Sequence, residues 1–249
     1  MTYVSFLGGI MTTFSFPVVA VVLSVTKYPF LVLLFMAGSF FWVFGALLKA
    51  SVWMAYQDSV WGTVIAGICI DAACRILYAW TYTKLRPKLL LLMDPSSRGN
   101  VQKTMNYRSA GLVGGLGYGS IQAIALYGLV LSEATGPATY YLASCPHASI
   151  FLLQGVVSLC FVIMSPFLQY AAMHALHHSR WVHLLSTVGF YALASLSSVA
   201  SSTLTPGMCG ISAGGAILAA IGSIVYSACV LHRNEGGTSL RRSSSAKLL

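Results

Sequence analysis

Charged residues are scarce in this chain of 249: they make up 8% of it, and only five are acidic. A soluble domain carries about a quarter charged residues, so a surface wetted all round is excluded. Also missing are ten-residue segments of alternating polar and apolar character, which argues against a transmembrane β-barrel. No basic leader precedes the first apolar run, which separates it from a cleaved signal peptide. What is abundant is apolar: 57% of the residues are hydrophobic and the mean hydropathy is +0.79. Lipid leaves helices and closed barrels as the two ways to satisfy a spanning backbone. The chain therefore reads as an all-α polytopic membrane protein.

About 20 helical residues cross the hydrocarbon core, and seven apolar runs reach that length: 3–25, 31–56, 60–82, 109–131, 148–173, 181–204 and 208–231. Residues 1–232 thus form a seven-helix membrane domain, and 233–249 a basic, Ser-rich tail that is too polar to bury a core and is expected to be disordered. Of the fourteen Lys and Arg residues, twelve fall in or beside the odd-numbered connections and the tail, two lie inside runs, and none is in the even-numbered connections. Lys and Arg concentrate on the cytosolic side, so the N-terminus is expected to be lumenal or extracellular and the C-terminus cytosolic. The net charge of +9 is then a topology signal, not a nucleic-acid footprint. The basic third connection, with apolar residues 89–93, is also suited to anionic headgroups. Cys145 and Cys209 both fall on the expected lumenal side; a disulfide and two unpaired thiols are both compatible with that placement.

The segment GLVGGLGYG, residues 111–119, has five glycines in nine positions. A phosphate cradle needs a strand before such glycines and a helix after them. No strand precedes Gly111, and the apolar run continues well past Gly119. As a helix, the segment places Gly111, Gly115 and Gly119 one turn apart on one face, a groove that admits another backbone closely. Each glycine lowers helix stability by up to about 1 kcal/mol, so three at this spacing call for a compensating contact, within the chain or between chains.

Three charges lie inside the runs. Asp71 and Arg75 are four apart and share a helix face, and Lys49 sits at comparable depth in the second run. Charges at that depth face the bundle interior. A structural ion cluster is the main expectation; a proton or substrate path is the alternative. A lone intramembrane aspartate does not make the two-carboxylate dyad of an aspartyl protease.

Other constellations lack their complements. HALHHSRWVH, residues 174–183, contains a His-x-x-His-His box suited to iron. A di-iron site draws on several boxes, and the chain has only six histidines; solvated histidines at a helix end near Arg180 suit the segment better. Gly210-Ile211-Ser212-Ala213-Gly214 has the letters of a serine nucleophile elbow, but no strand precedes it and its run holds no histidine base. With Gly215 and Gly222 it suggests a second close-packing face. A seven-span receptor shares the topology, but the third run ends in Tyr82-Thr83-Lys84 with no acidic-Arg pair, and the seventh has neither an Asn-Pro break nor a lysine for a Schiff base.

The doubled glycine motif in the fourth of seven runs, the expected orientation, Ala37-Gly38-Ser39-Phe40-Phe41-Trp42 followed by Trp53, and Gly136-Pro137 before the fifth run together resemble the anterior-pharynx-defective subunits of gamma-secretase. The resemblance covers most of 31–202 in element order. It implies a non-catalytic scaffold, without cofactor or metal, that assembles with presenilin-like, nicastrin-like and presenilin-enhancer-like subunits into a protease cutting single-pass membrane proteins. It implies residence in the endoplasmic reticulum, Golgi and plasma membrane, and an assembly role for Gly111, Gly115 and Gly119. Family members carry a histidine in each of the fifth and sixth spans. The matching windows here hold Ser165-Pro166 and Gly189-Phe190-Tyr191, where Ser165 and Tyr191 are the candidates to replace the histidines' hydrogen bonds.

Overall fold

The computed structural model describes residues 2–26, 28, 29–55, 60–92, 106–128, 130, 149–179, 181–200 and 208–245; of these, the side chains of 2–5, 24, 55, 60, 92, 200, 208–209 and 231–245 lie outside the description. Helix α1 (Thr2–Ala20) passes into one π-helical turn, Val21–Val25. It is followed by α2 (Pro29–Ala55), α3 (Val60–Leu92), α4 (Tyr107–Gly128), α5 (Ile150–His178), α6 (Trp181–Ala200) and α7 (Met208–Ser245). Seven of the described helices are long and apolar enough to cross a membrane.

Local chemistry sets several boundaries. Pro29 opens α2, where a helix leaves an N–H unsatisfied in any case. Ser149 caps α5 by accepting from the Phe151 amide, and Ser179 ends it in the left-handed region, its amide donating to Ala175 O. That left-handed stop leaves a short link to Trp181, so α5 and α6 pack as neighbours. The third run was expected to end at Tyr82, but α3 continues to Leu92. Its apolar span of 31 residues extends roughly 46 Å at about 1.5 Å per residue, against about 30 Å of hydrocarbon. Lys84, Arg86 and Lys88 therefore lie on continuous helix rather than in a loop.

The centre of the bundle is the α4–α5 pair, the most extensive helix contact among the described residues. Along α4 every residue from Val113 to Ser120 is buried. One cluster joins Leu31 and Leu34 of α2, Tyr78 and Ala79 of α3, Val113 and Leu116 of α4, and Val162 of α5. Another joins Phe161, Met164 and Leu168 of α5 to Tyr191 and Ala194 of α6 and to Ala216 and Ala219 of α7. The outer faces remain apolar, with Leu33, Phe40 and Leu47 on α2 and Leu218, Ile221 and Val225 on α7 all exposed. In lipid such faces are solvated by acyl chains.

Candidate functional site: a glycine seam joined to a buried ion cluster

All five glycines of the 111–119 segment sit where another helix leaves no room for a side chain. A Cβ on Gly115 would stand 2.6 Å from both Pro166 Cα and the Ser165 carbonyl oxygen of α5. One on Gly111 would be 2.8 Å from Tyr170 Cα, and one on Gly119 2.8 Å from Ser165 Cβ. The groove formed by Gly111, Gly115 and Gly119 is thus filled by α5 of the same chain. Proline breaks the hydrogen-bond ladder at Pro166, and backbone of this kind is tolerated in a membrane where it is enclosed by protein. The other two glycines serve the opposite side of α4. A Cβ on Gly114 would overlap the Tyr78 hydroxyl of α3, and one on Gly117 the Phe35 carbonyl of α2. Gly38, from the AGxFFW segment, lies directly on the Gly114 carbonyl, and Ser39 Oγ donates to Gly117 O at 3.2 Å. α4 is clasped on both sides through missing side chains.

On the side of α5 facing α3, the intramembrane charges meet. Arg75 Nε donates to Asp71 Oδ2 at 2.9 Å and Lys49 Nζ to Asp71 Oδ1 at 3.1 Å. The Tyr118 hydroxyl donates to the same Oδ1. Asp71 and Arg75 are fully buried, with 0% and 1% exposure. The remaining guanidinium nitrogens of Arg75 reach Ser165, Nη2 to its Oγ at 2.8 Å and Nη1 to its carbonyl at 3.3 Å. The Arg75 carbonyl accepts from Gln169 Nε2 at 3.1 Å. Two rings complete the shell: the guanidinium carbon lies 4.2 Å from the Tyr118 centroid and 5.5 Å from that of Tyr191, while Lys49 Nζ is 5.9 Å from Tyr191. Five helices thereby converge on one carboxylate and one guanidinium. An arginine suits this, since its planar fork satisfies several acceptors at once.

Ser165 and Tyr191, from the two windows where the family resemblance points to histidines, both face Arg75 and supply an acceptor oxygen and a π face. Sequence reasoning missed Tyr118 and Gln169. The available signal was a phenol and an amide in otherwise apolar runs, groups that need a partner when buried. Cys145 and the side chain of Cys209 lie outside the described residues, so their pairing does too. In the Gly210-to-Gly222 segment, the second packing face is narrower than expected. A Cβ on Gly215 would stand 2.3 Å from Ser197 Cβ of α6, and one on Gly222 would meet Phe190, whereas Gly210 and Gly214 face open space. Ser212 is buried in α7. Of the histidines, His177 and His178 are exposed in the last turn of α5, as expected of solvated residues at a helix end, whereas His174 departs from expectation in being buried at 8% exposure. Among the described residues, no group of three or more His, Cys, Asp or Glu side chains is placed to hold a metal ion.

Fold and site define a polytopic helical membrane protein whose interior is locked by a close-packed helix pair and a buried ion cluster. A sequence profile of the Aph-1 protein family matches residues 4–234; the chain belongs to the Aph-1 family. It is 28% identical over 150 residues to a gamma-secretase subunit APH1-like protein of Arabidopsis thaliana, a match covering 57% of this chain and 60% of that relative. It is 22% identical over 210 residues to gamma-secretase subunit APH-1B of Homo sapiens, covering 81% and 80%. A similar match, 23% over 212 residues, is found with APH-1B of Mus musculus.

Proposed function

We propose that this chain is a non-catalytic scaffold subunit of a gamma-secretase-like complex that cleaves single-pass membrane proteins. Its partners are presenilin-like, nicastrin-like and presenilin-enhancer-like subunits; its N-terminus is lumenal or extracellular, its tail from residue 233 is cytosolic, and it resides in the endoplasmic reticulum, Golgi and plasma membrane. The observation that carries this reading is the engagement of Asp71. Its two oxygens receive Arg75, Lys49 and Tyr118, so the strongest intramembrane acceptor holds α2, α3 and α4 together. A side chain so engaged serves a rigid frame. The outer helices present wide apolar faces to whatever lies beside them in the membrane.

In this reading the glycine triplet acts on assembly through the shape of the subunit. The strip contacts α5, so widening it displaces the frame that partners dock on. The test is affinity purification of the tagged chain from gently solubilised membranes, comparing wild type with Gly115→Leu. Wild type should bring down the partner subunits in stoichiometric amounts, and the variant should insert yet lose them. Retention of all partners by Gly115→Leu at wild-type yield would falsify the assembly role. Proteolysis of a single-pass substrate by the purified chain alone would overturn the non-catalytic assignment.

A further inference from the structure

The seam between α4 and α5 continues past its last close-packed glycine. The two helices run antiparallel, since Gly111 meets Tyr170 while Gly119 meets Val162 and Ser165. Seven residues beyond Gly119, the Leu126 carbonyl accepts from Gln154 Nε2 of α5 at 3.3 Å. Register between these two contacts brings Gln122 opposite Ser158. Both belong to the facing sides: Gly119, Gln122 and Leu126 follow one another at three and four residues on α4, and Gln154, Ser158 and Val162 at four and four on α5.

At this level the two polar side chains are buried, Gln122 at 5% and Ser158 at 0% exposure. Among the described residues, neither Gln122 Oε1 nor Ser158 Oγ has a hydrogen-bond partner. Buried polar groups are nearly always paired, with protein or with ordered water, and surrounding lipid offers no substitute. A helical hydroxyl has a local remedy in the carbonyl one turn back. Ser120 takes it, donating to Leu116 O at 2.7 Å, and so does Thr13, to Gly9 O at 2.8 Å. Ser158 does not, although the residue across the seam offers a complementary acceptor. The same level also holds unfilled space beside α3. Tyr118 touches Asp71, and one turn further in the same direction stand Gln122 on α4 and Gly67 on α3. A Cβ on Gly67 would meet nothing within 4 Å.

We propose that the α4–α5 seam carries a bound water molecule that accepts from Ser158 Oγ and donates to Gln122 Oε1. A water bridges a donor and an acceptor that stand too far apart to bond directly, and does so nearly as well as a direct bond. It joins the two helices at the turn where the glycines give out, one turn beyond the Tyr118–Asp71 contact. The site is internal to this chain and independent of partner subunits.

Reversible unfolding of the full chain in mixed micelles tests this by the sign of the effect. Were the two groups dry, removing either would relieve an unmatched polar atom, and Ser158→Ala and Gln122→Leu would be at least as stable as wild type. With the water in place, each substitution removes one of its anchors and leaves the other side chain unpaired. Each should then raise the unfolding equilibrium constant about fivefold, the worth of one hydrogen bond. The double variant should raise it by clearly less than the product of the two factors, because the same water is lost only once. Wild-type or greater stability in either single variant, or factors that simply multiply, overturns the proposal. Should a variant fail to fold, a density map of the wild-type chain that resolves ordered water decides. A peak within about 3 Å of both Ser158 Oγ and Gln122 Oε1 is expected; an empty gap, or a direct hydrogen bond between the two, overturns the proposal.

Discussion

The two sides of α5 solve the same problem by opposite means. Toward α4 it meets a strip from which side chains have been removed, and backbone rests on backbone. Toward α3, at the same depth, it meets a cluster of polar side chains from five helices. The two sides are joined by single residues. Ser165 abuts Gly115 and Gly119 with its backbone and Cβ, and with its hydroxyl and carbonyl accepts from Arg75. Gln169 has its Cβ against Gly115 and its amide on the Arg75 carbonyl. The glycines thus fix how close α5 comes to α4, and that distance decides whether the guanidinium finds its acceptors. In a medium where an unpaired charge is expensive, the close-packed seam is the condition for the ion cluster.

The strongest way to break this comparison is to empty the polar side. Asp71→Ala leaves Lys49 and Arg75 facing each other without a counter-charge and should destabilise the chain by about 3–5 kcal/mol, the usual cost of orphaning a buried charge. Reversible unfolding in mixed micelles would measure it. Removing the whole cluster together, as Lys49→Met, Asp71→Leu and Arg75→Met, should be milder than Asp71→Ala alone, because no charge is left behind. If the triple variant is the worse of the two, the cluster contributes more than mutual neutralisation.

The next effect comes from the opposite side. Gly115→Ala places a methyl 2.6 Å from α5 backbone and should cost about 2–3 kcal/mol, in the range of overpacked cores. Ser165→Ala removes one charge-assisted hydrogen bond and should cost about 1.5 kcal/mol. Because both act on the α5 backbone at one level, their effects should not add; a double-mutant cycle should return a coupling of about 0.5 kcal/mol or more. Strict additivity would show the seam and the cluster to be independent.

How far the sequence disclosed this arrangement depended on the kind of signal. The seven spans were legible because lipid forces a single run length and a single backbone solution. The spacing of Gly111, Gly115 and Gly119 disclosed a seam, but spacing carries no information on what lies across it, and α5 is supplied by tertiary packing. Asp71 and Arg75 could be paired because four residues on one helix bring them together. Lys49 could be matched only by depth. Tyr118 was hidden in plain view within the glycine segment, since on a helix clasped from both sides a phenol's direction is set by its neighbours. The continuation of α3 to Leu92 was missed for a different reason: hydropathy marks where the membrane ends, not where the helix does.

The smallest predicted effect separates glycines that hold the fold from those that do not. Gly214 and Gly215 are adjacent in α7, yet a Cβ on Gly215 would collide with Ser197 of α6 while one on Gly214 would meet nothing within 4 Å. In the isolated chain, Gly215→Ala should therefore destabilise, and Gly214→Ala should be neutral or stabilising by up to about 1 kcal/mol, the helix preference of alanine over glycine. The same substitution has a second use in the assembled complex. Position 214 faces outward, so a partner helix packed on this face would meet the new methyl even though the isolated chain does not. If Gly214→Ala leaves the chain's own unfolding unchanged but weakens recovery of partner subunits, the α7 face is a subunit contact. If neither quantity moves, that face looks onto lipid, and docking belongs to the exposed faces of the other outer helices.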